Sequence, residues 1–234
     1  MNSKSRASFS SRLTEAEKMV EYLNTFTDYD PGEDELKSAS LLTDTVVLHT
    51  MQSDHTTKHF SYAQAANDRR KFFENEDNSL GKLLSPIGSY VRGKMGKNSQ
   101  EYKEMMTLIK KVRGERKIKV SENSSADTIS RCEKSYGSRL IYFGDIITLA
   151  KAFGANYVPP RIQIKIEQLQ TVLNGATDST SNVSTKLAIF KPLIQSRIDG
   201  FQALKAKAIR IKDMVKSQYG TNSSEYNLIK GLKI

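Results

Sequence analysis

The stretch Gly96-Lys97-Asn98-Ser99-Gln100-Glu101-Tyr102 returns 124 residues later as Gly220-Thr221-Asn222-Ser223-Ser224-Glu225-Tyr226. At the same offset Leu80, Leu84, Ile87 and Val91 map onto Leu204, Ala208, Ile211 and Val215, a spacing that lines one face of a helix. One helix ended twice by one turn indicates an internal duplication, and this constrains the fold more than any other feature. The expected architecture is all-α: two tandem, duplicated, antiparallel helical bundles of four-helix type. The expected boundaries are residues 1–118 for the first copy, 119–137 for a linker and 138–234 for the second copy.

Further echoes support this division. Ser138-Arg139-Leu140 follows Ser11-Arg12-Leu13, and Asn156-Tyr157-Val158-Pro159 follows Asp28-Tyr29-Asp30-Pro31. In the first half, apolar spacing predicts helices through Leu13, Ala16, Val20 and Leu23, through Leu36, Ala39, Thr43 and Val46, and from about Thr56 through Phe72. The repeated helix follows from Leu80 to Met95, with Pro86 kinking it or marking a late start. Past the polar stretch Ser121–Ser130, Phe143, Ile146, Ala150 and Phe153 keep helical spacing. A helix through Ile162, Ile166, Leu169 and Leu173 is expected to stop at Asn174-Gly175, and another runs from Val183 to Ile198, there either breaking at Asp199-Gly200 or continuing into Leu204.

The repeated turn has a structural explanation in its own residues. Gly96 and Gly220 suit the left-handed conformation that ends a helix, and Asn98 and Asn222 are placed as N-caps of the next one. Glu101 and Glu225 stand where a capping-box carboxylate reaches back, and Tyr102 and Tyr226 follow in the first turn. The alternative is an anion held by free amides at the helix start. Gly96-x-Asn98-Ser99-x-Glu101-Tyr102, followed by Arg113-x-Glu115-Arg116-Lys117, resembles the G-x-D/N-S-x-E-Y…R-x-x-E-R-K signature of uncharacterised bacterial four-helix-bundle proteins. The second copy keeps the turn and lacks the basic tail. The resemblance implies a bundle fold and brings with it no catalytic residue.

Net charge is +10 and unevenly spread: −5 over residues 1–77, +8 over 78–120 and +7 over 121–234. Such asymmetry implies an anionic partner or complementary faces within or between copies of one protein. Lys110, Lys111, Arg113, Arg116 and Lys117, with Lys205, Lys207, Arg210, Lys212 and Lys216, form a candidate basic patch for a phosphate backbone. On the last helix these cations fall on the faces left free by its apolar stripe, as on any solvated helix.

Chemistry-bearing constellations are scarce. His55 and His59 share a helix face, with His49 and Asp54 nearby, but two histidines fall short of the three protein ligands that catalytic zinc sites use. Cys132 has basic neighbours, Arg131 and Lys134, but no histidine base, and cannot form an intramolecular disulfide. The chain has no G-x-S-x-G elbow, Gly-rich phosphate loop or H-E-x-x-H motif. Glu15, Glu17, Asp44 and Asp145 lack the Glu-x-x-His pattern of a di-iron bundle. No stretch reaches the length of an apolar membrane span, and Met1–Arg12 does not read as a secretory signal, so a cytoplasmic location is expected. These readings converge on a non-enzymatic structural or interaction module without cofactor. It is expected to self-associate through complementary acidic and basic faces, or to bind an unidentified protein. Non-specific nucleic-acid binding by the basic residues 78–234 is the alternative.

Overall fold

A computed structural model describes residues 8–114 and 135–234. Every regular element among them is helical: α1 (Phe9–Thr25), α2 (Ser38–Arg70), α3 (Leu80–Met95), α4 (Gln100–Arg113), α5 (Tyr136–Ala152), α6 (Ile166–Tyr219) and α7 (Ser224–Ile229). Short 3-10 turns lie at Asp34–Leu36, Gly154–Asn156 and Ile162–Ile164, and α2 ends in a π-helical turn over Lys71–Asn75. None of the described helices is long and apolar enough to cross a membrane. Most of the expected linker 119–137, with Arg116, Lys117 and Cys132, lies outside the described residues; Ser135 caps α5 and Tyr136 begins it.

Two expectations about element boundaries need correcting. The second and third predicted helices are one, α2, and the helix expected to stop at Asn174-Gly175 instead runs on through Val183 and, past Gly200, to Val215 and beyond as the 54-residue α6. Gly175 and Gly200 inside α6 serve close packing rather than helix ends. A Cβ on Gly175 would stand 2.6 Å from Phe72 Cε1, and one on Gly200 would stand 2.7 Å from Leu48 Cδ2. Pro86 and Pro192 lie inside α3 and α6 without ending them.

The chain forms two compact units, and these differ from the halves 1–118 and 138–234 that the repeat predicts. Unit 1 comprises residues 1–61 and 187–234, and unit 2 comprises residues 62–186. Because α2 runs 33 residues without interruption between α1 and α3, the two ends of the first half enter separate cores. In unit 1, Leu13, Ala16, Met19 and Leu23 of α1 are buried with Leu41 and Leu48 of α2, Leu204 and Ile211 of α6, and Ile229 of α7. In unit 2, Leu83, Leu84 and Ile87 of α3 are buried with Met105 and Ile109 of α4, Phe143 and Ile146 of α5, and Leu169 of α6.

Each unit contains the same arginine–aromatic node. In unit 1, Ser8 caps α1 by accepting from the Ser11 amide at 3.1 Å, and Phe9 packs on Phe201 with centroids 4.5 Å apart. Arg12 donates to the Phe201 carbonyl at 2.7 Å, and the Arg197 guanidinium lies 4.5 Å from the Phe9 ring centre. In unit 2, Ser135 caps α5 by accepting from Ser138 at 3.1 Å, and Tyr136 packs edge-on against Phe73 at 4.7 Å. Arg139 donates to the Phe73 carbonyl at 3.2 Å and to Glu74 at 2.8 Å, and Arg69 lies 3.9 Å from the Tyr136 ring centre. A desolvated cation over an aromatic face contributes up to about 2 kcal/mol, so each node fastens a helix start to a distant segment.

A tyrosine latch also occurs in both. The Tyr29 hydroxyl donates to the Leu36 carbonyl at 3.2 Å in unit 1, and the Tyr157 hydroxyl to the Ile164 carbonyl at 3.0 Å in unit 2. Each closes the loop that leads into a long helix.

Candidate functional site

The repeated turn is built alike in both places. Gly96 and Gly220 have φ of +91° and +96°, a region that side chains beyond glycine resist. The N-caps lie one residue later than expected. Ser99 accepts from the Tyr102 amide at 3.1 Å, and Ser223 accepts from the Tyr226 amide at 3.1 Å. The chain leaves each glycine through a turn in which the serine amide bonds back to the glycine carbonyl, so serine, not Asn98 or Asn222, reaches the cap position. Glu101 and Glu225 therefore fall at the second helical residue instead of the third, where a capping box needs them. Tyr102 and Tyr226 pack against their units' cores.

The ten candidate basic residues do not gather in one unit. Lys110, Lys111 and Arg113 occupy the last turn of α4 in unit 2, with Lys111 5.1 Å from the Tyr142 ring centre. Lys205, Lys207, Arg210, Lys212 and Lys216 lie on α6 in unit 1, and most of them serve internal contacts. Lys207 pairs with Asp44 and donates to Ser40, while Arg210 pairs with Glu33 and Glu35. Lys212 donates to the Leu232 carbonyl at 2.6 Å, and burial lowers its pKa. Lys216 stands 6.0 Å from the Tyr226 ring centre, and Lys205 is exposed. Within unit 1 the acidic first third of the sequence thus meets the basic last third. The half-exposed Arg210 pairs contribute about 0–1 kcal/mol each, so their effect is on register more than stability.

His55 and His59 do share a face, with parallel rings 6.3 Å apart and Phe190 5.0 and 5.3 Å away. Sequence spacing could not foresee the partner: Arg197 Nη1 lies 3.0 Å from His55 Nδ1. A guanidinium has no acceptor, so it donates, and the neutral His55 ring carries its proton on Nε2. Burial, then the charges of Arg197 and His59, lower the His55 pKa. Each of these disfavours a bound cation. Among the described residues no group of three or more His, Cys, Asp or Glu side chains is placed to hold a metal. His49 instead pairs with Glu17 at 2.7 Å.

What sequence reasoning missed is an uncovered apolar line on α2. Leu42, Val46 and Phe60 are 48, 57 and 68% exposed. Their spacing of four and fourteen residues places them on one side of the helix. The signal was present in the sequence, but periodicity alone does not say which apolar stripe is buried. No protein-family model matches the chain, and neither a curated protein nor a solved structure matches it.

Proposed function

We propose that the chain is a non-enzymatic helical interaction module, made of two interleaved copies of one ancestral half, that self-associates. The interleaving rests on the paired nodes and latches. Phe9 and Arg12 stand 127 residues before Tyr136 and Arg139, while Arg69 and Phe73 stand 128 before Arg197 and Phe201. Each unit takes one pair from each half. The observation that carries the functional reading is the exposed pair Leu42 and Val46, one turn apart on α2 with Phe60 further along the same side, since neighbouring apolar side chains on a surface mark interaction sites. The complementary charges of the two chain ends serve inside unit 1, which leaves this apolar side of α2 as the surface for a second copy. Sedimentation of nuclease-treated protein over a range of concentration tests it. The expected result is an oligomer that persists at high salt and dissociates in the Leu42→Glu, Val46→Glu double variant. A monomer at every concentration contradicts self-association.

Nucleic-acid binding is a second reading, favoured by the exposed Lys110 and Lys111 at the end of α4, just before Arg116 and Lys117 in the sequence. It requires binding to DNA or RNA whose affinity falls with salt in proportion to the counterions released.

A further inference from the structure

We propose that the groove between α3 and α4 in unit 2 is a binding site for a phosphate-type oxyanion. Its volume is about 140 Å³, below the roughly 300–1,000 Å³ of pockets that enclose drug-sized ligands. It therefore has room for a small anion or one phosphoryl group, not for a whole nucleotide. Its floor is apolar. There Gly88 lets the helices approach: a Cβ at this position would stand 3.2 Å from both Ile109 Cδ1 and Met106 Sδ.

The rim is made of hydrogen-bond donors. Arg92 of α3 and Arg113 of α4 line the groove together with the hydroxyl-bearing Ser85, Ser89 and Tyr102. Ser85 and Ser89 are one helical turn apart and so share a side of α3. Several helical hydroxyls elsewhere in this protein bond back to a carbonyl of their own helix, as those of Thr43, Thr107 and Thr148 do. Those of Ser85 and Ser89, the Tyr102 hydroxyl and the Arg92 guanidinium have no hydrogen-bond partner among the described residues. The Arg92 guanidinium and three hydroxyls, with Arg113 beside them, match a dianion with several acceptor oxygens better than a carboxylate with two, because a guanidinium fork binds phosphoryl oxygens in pairs.

The corresponding place in unit 1, between α6 and α7, lacks this chemistry. At the offset of 124, Ile209 stands for Ser85, Lys212 for Gly88 and Asp213 for Ser89. Lys212 is turned to the Lys230 and Leu232 carbonyls, and Asp213 adds a negative charge where Ser89 has a hydroxyl. The repeated helix-turn-helix alone therefore does not create the site; these substitutions on the α3 side do.

The test is an amide NMR titration of the full-length protein in chloride buffer with inorganic phosphate and, separately, with O-phosphoserine. The expected result is saturable 1:1 shifts confined to residues 85–92 and 102–113. Affinity should be at least about tenfold weaker in Arg92→Gln and in Ser89→Asp, the loss of roughly one charge-assisted contact. Both positions are exposed, so both variants should melt like the parent. Tighter binding of O-phosphoserine identifies a phosphomonoester as the ligand, and equal or tighter binding of phosphate identifies the free anion. Shifts that rise linearly without saturating, or saturation unchanged in both variants, overturn the proposal.

Discussion

At the scale of single residues, Ser99 and Ser223 hold the two turns together, and the neighbouring asparagines do not. Replacing either serine with alanine should cost about 1 kcal/mol in urea unfolding, the usual loss of an N-cap, while Asn98→Ala should change little. An Asn98→Ala cost equal to that of Ser99→Ala would restore asparagine as the cap. Gly96→Val and Gly220→Val should each cost about 1–3 kcal/mol, because both glycines hold φ values that a β-branched side chain resists. The tyrosine latches carry a pH signature. Burial, and secondarily Tyr219, push the Tyr29 pKa up to about 12, and burial, then Tyr90, raises that of Tyr157. A raised acid pKa means the folded state favours the neutral hydroxyl. The stability from these latches is thus complete below the ordinary tyrosine pKa near 10 and is lost as pH rises through the folded values. Spectrophotometric titration should find Tyr29 and Tyr157 ionising last, together with unfolding, and the early transition of Tyr29→Phe or Tyr157→Phe should have a smaller pH dependence.

At the scale of elements, the sequence was legible where pattern and local chemistry agree. The apolar faces of α1, α3 and α5 and the turn after α3 all lie where periodicity and glycine placed them. Helix continuity was not legible. Glycine and proline weaken a helix in isolation, but Gly200 lies in α6 because Leu48 needs its missing side chain. Gly200→Val should therefore cost about 1–3 kcal/mol by overpacking against a buried leucine, measured by thermal or urea unfolding. The second part of the repeat was half hidden for a simpler reason. The offset is 128 at Arg69 and Phe73 and 124 at Leu80, so four residues separate the two registers, and the first half places its π-helical turn and the 76–79 connection there. In unit 1 the pairing of α2 with α6 has its own pH dependence. With its pKa lowered, His55 favours the neutral ring when folded, so stability is complete above the ordinary histidine pKa near 6.5 and falls as pH drops below it. Arg197, His59 and Gln52 surround the ring. His55→Gln should flatten the stability profile between neutral and mildly acid pH, and an unchanged slope would remove His55 from the account.

At the scale of the whole molecule, neither half of the sequence supplies a complete core. Leu13 and Met19 are buried with Leu204 and Ile211 from the far end of the chain, and Leu84 and Ile87 with Phe143 and Leu169. The uneven charge of the sequence follows the same plan, since Glu33, Glu35 and Asp44 meet Arg210 and Lys207 within unit 1. Of the readings the charge asymmetry allowed, complementary faces within one chain is, to that extent, the one these pairs realise. The most direct test is to insert a specific protease site between Asn123 and Ser124, cleave the folded full-length protein and weigh the product by native mass spectrometry. Interleaved halves predict that the two fragments stay together as a 1:1 complex with unchanged helical circular dichroism and separate only in denaturant. Two fragments that part under native conditions, each keeping its helical content and its own cooperative melt, would contradict it.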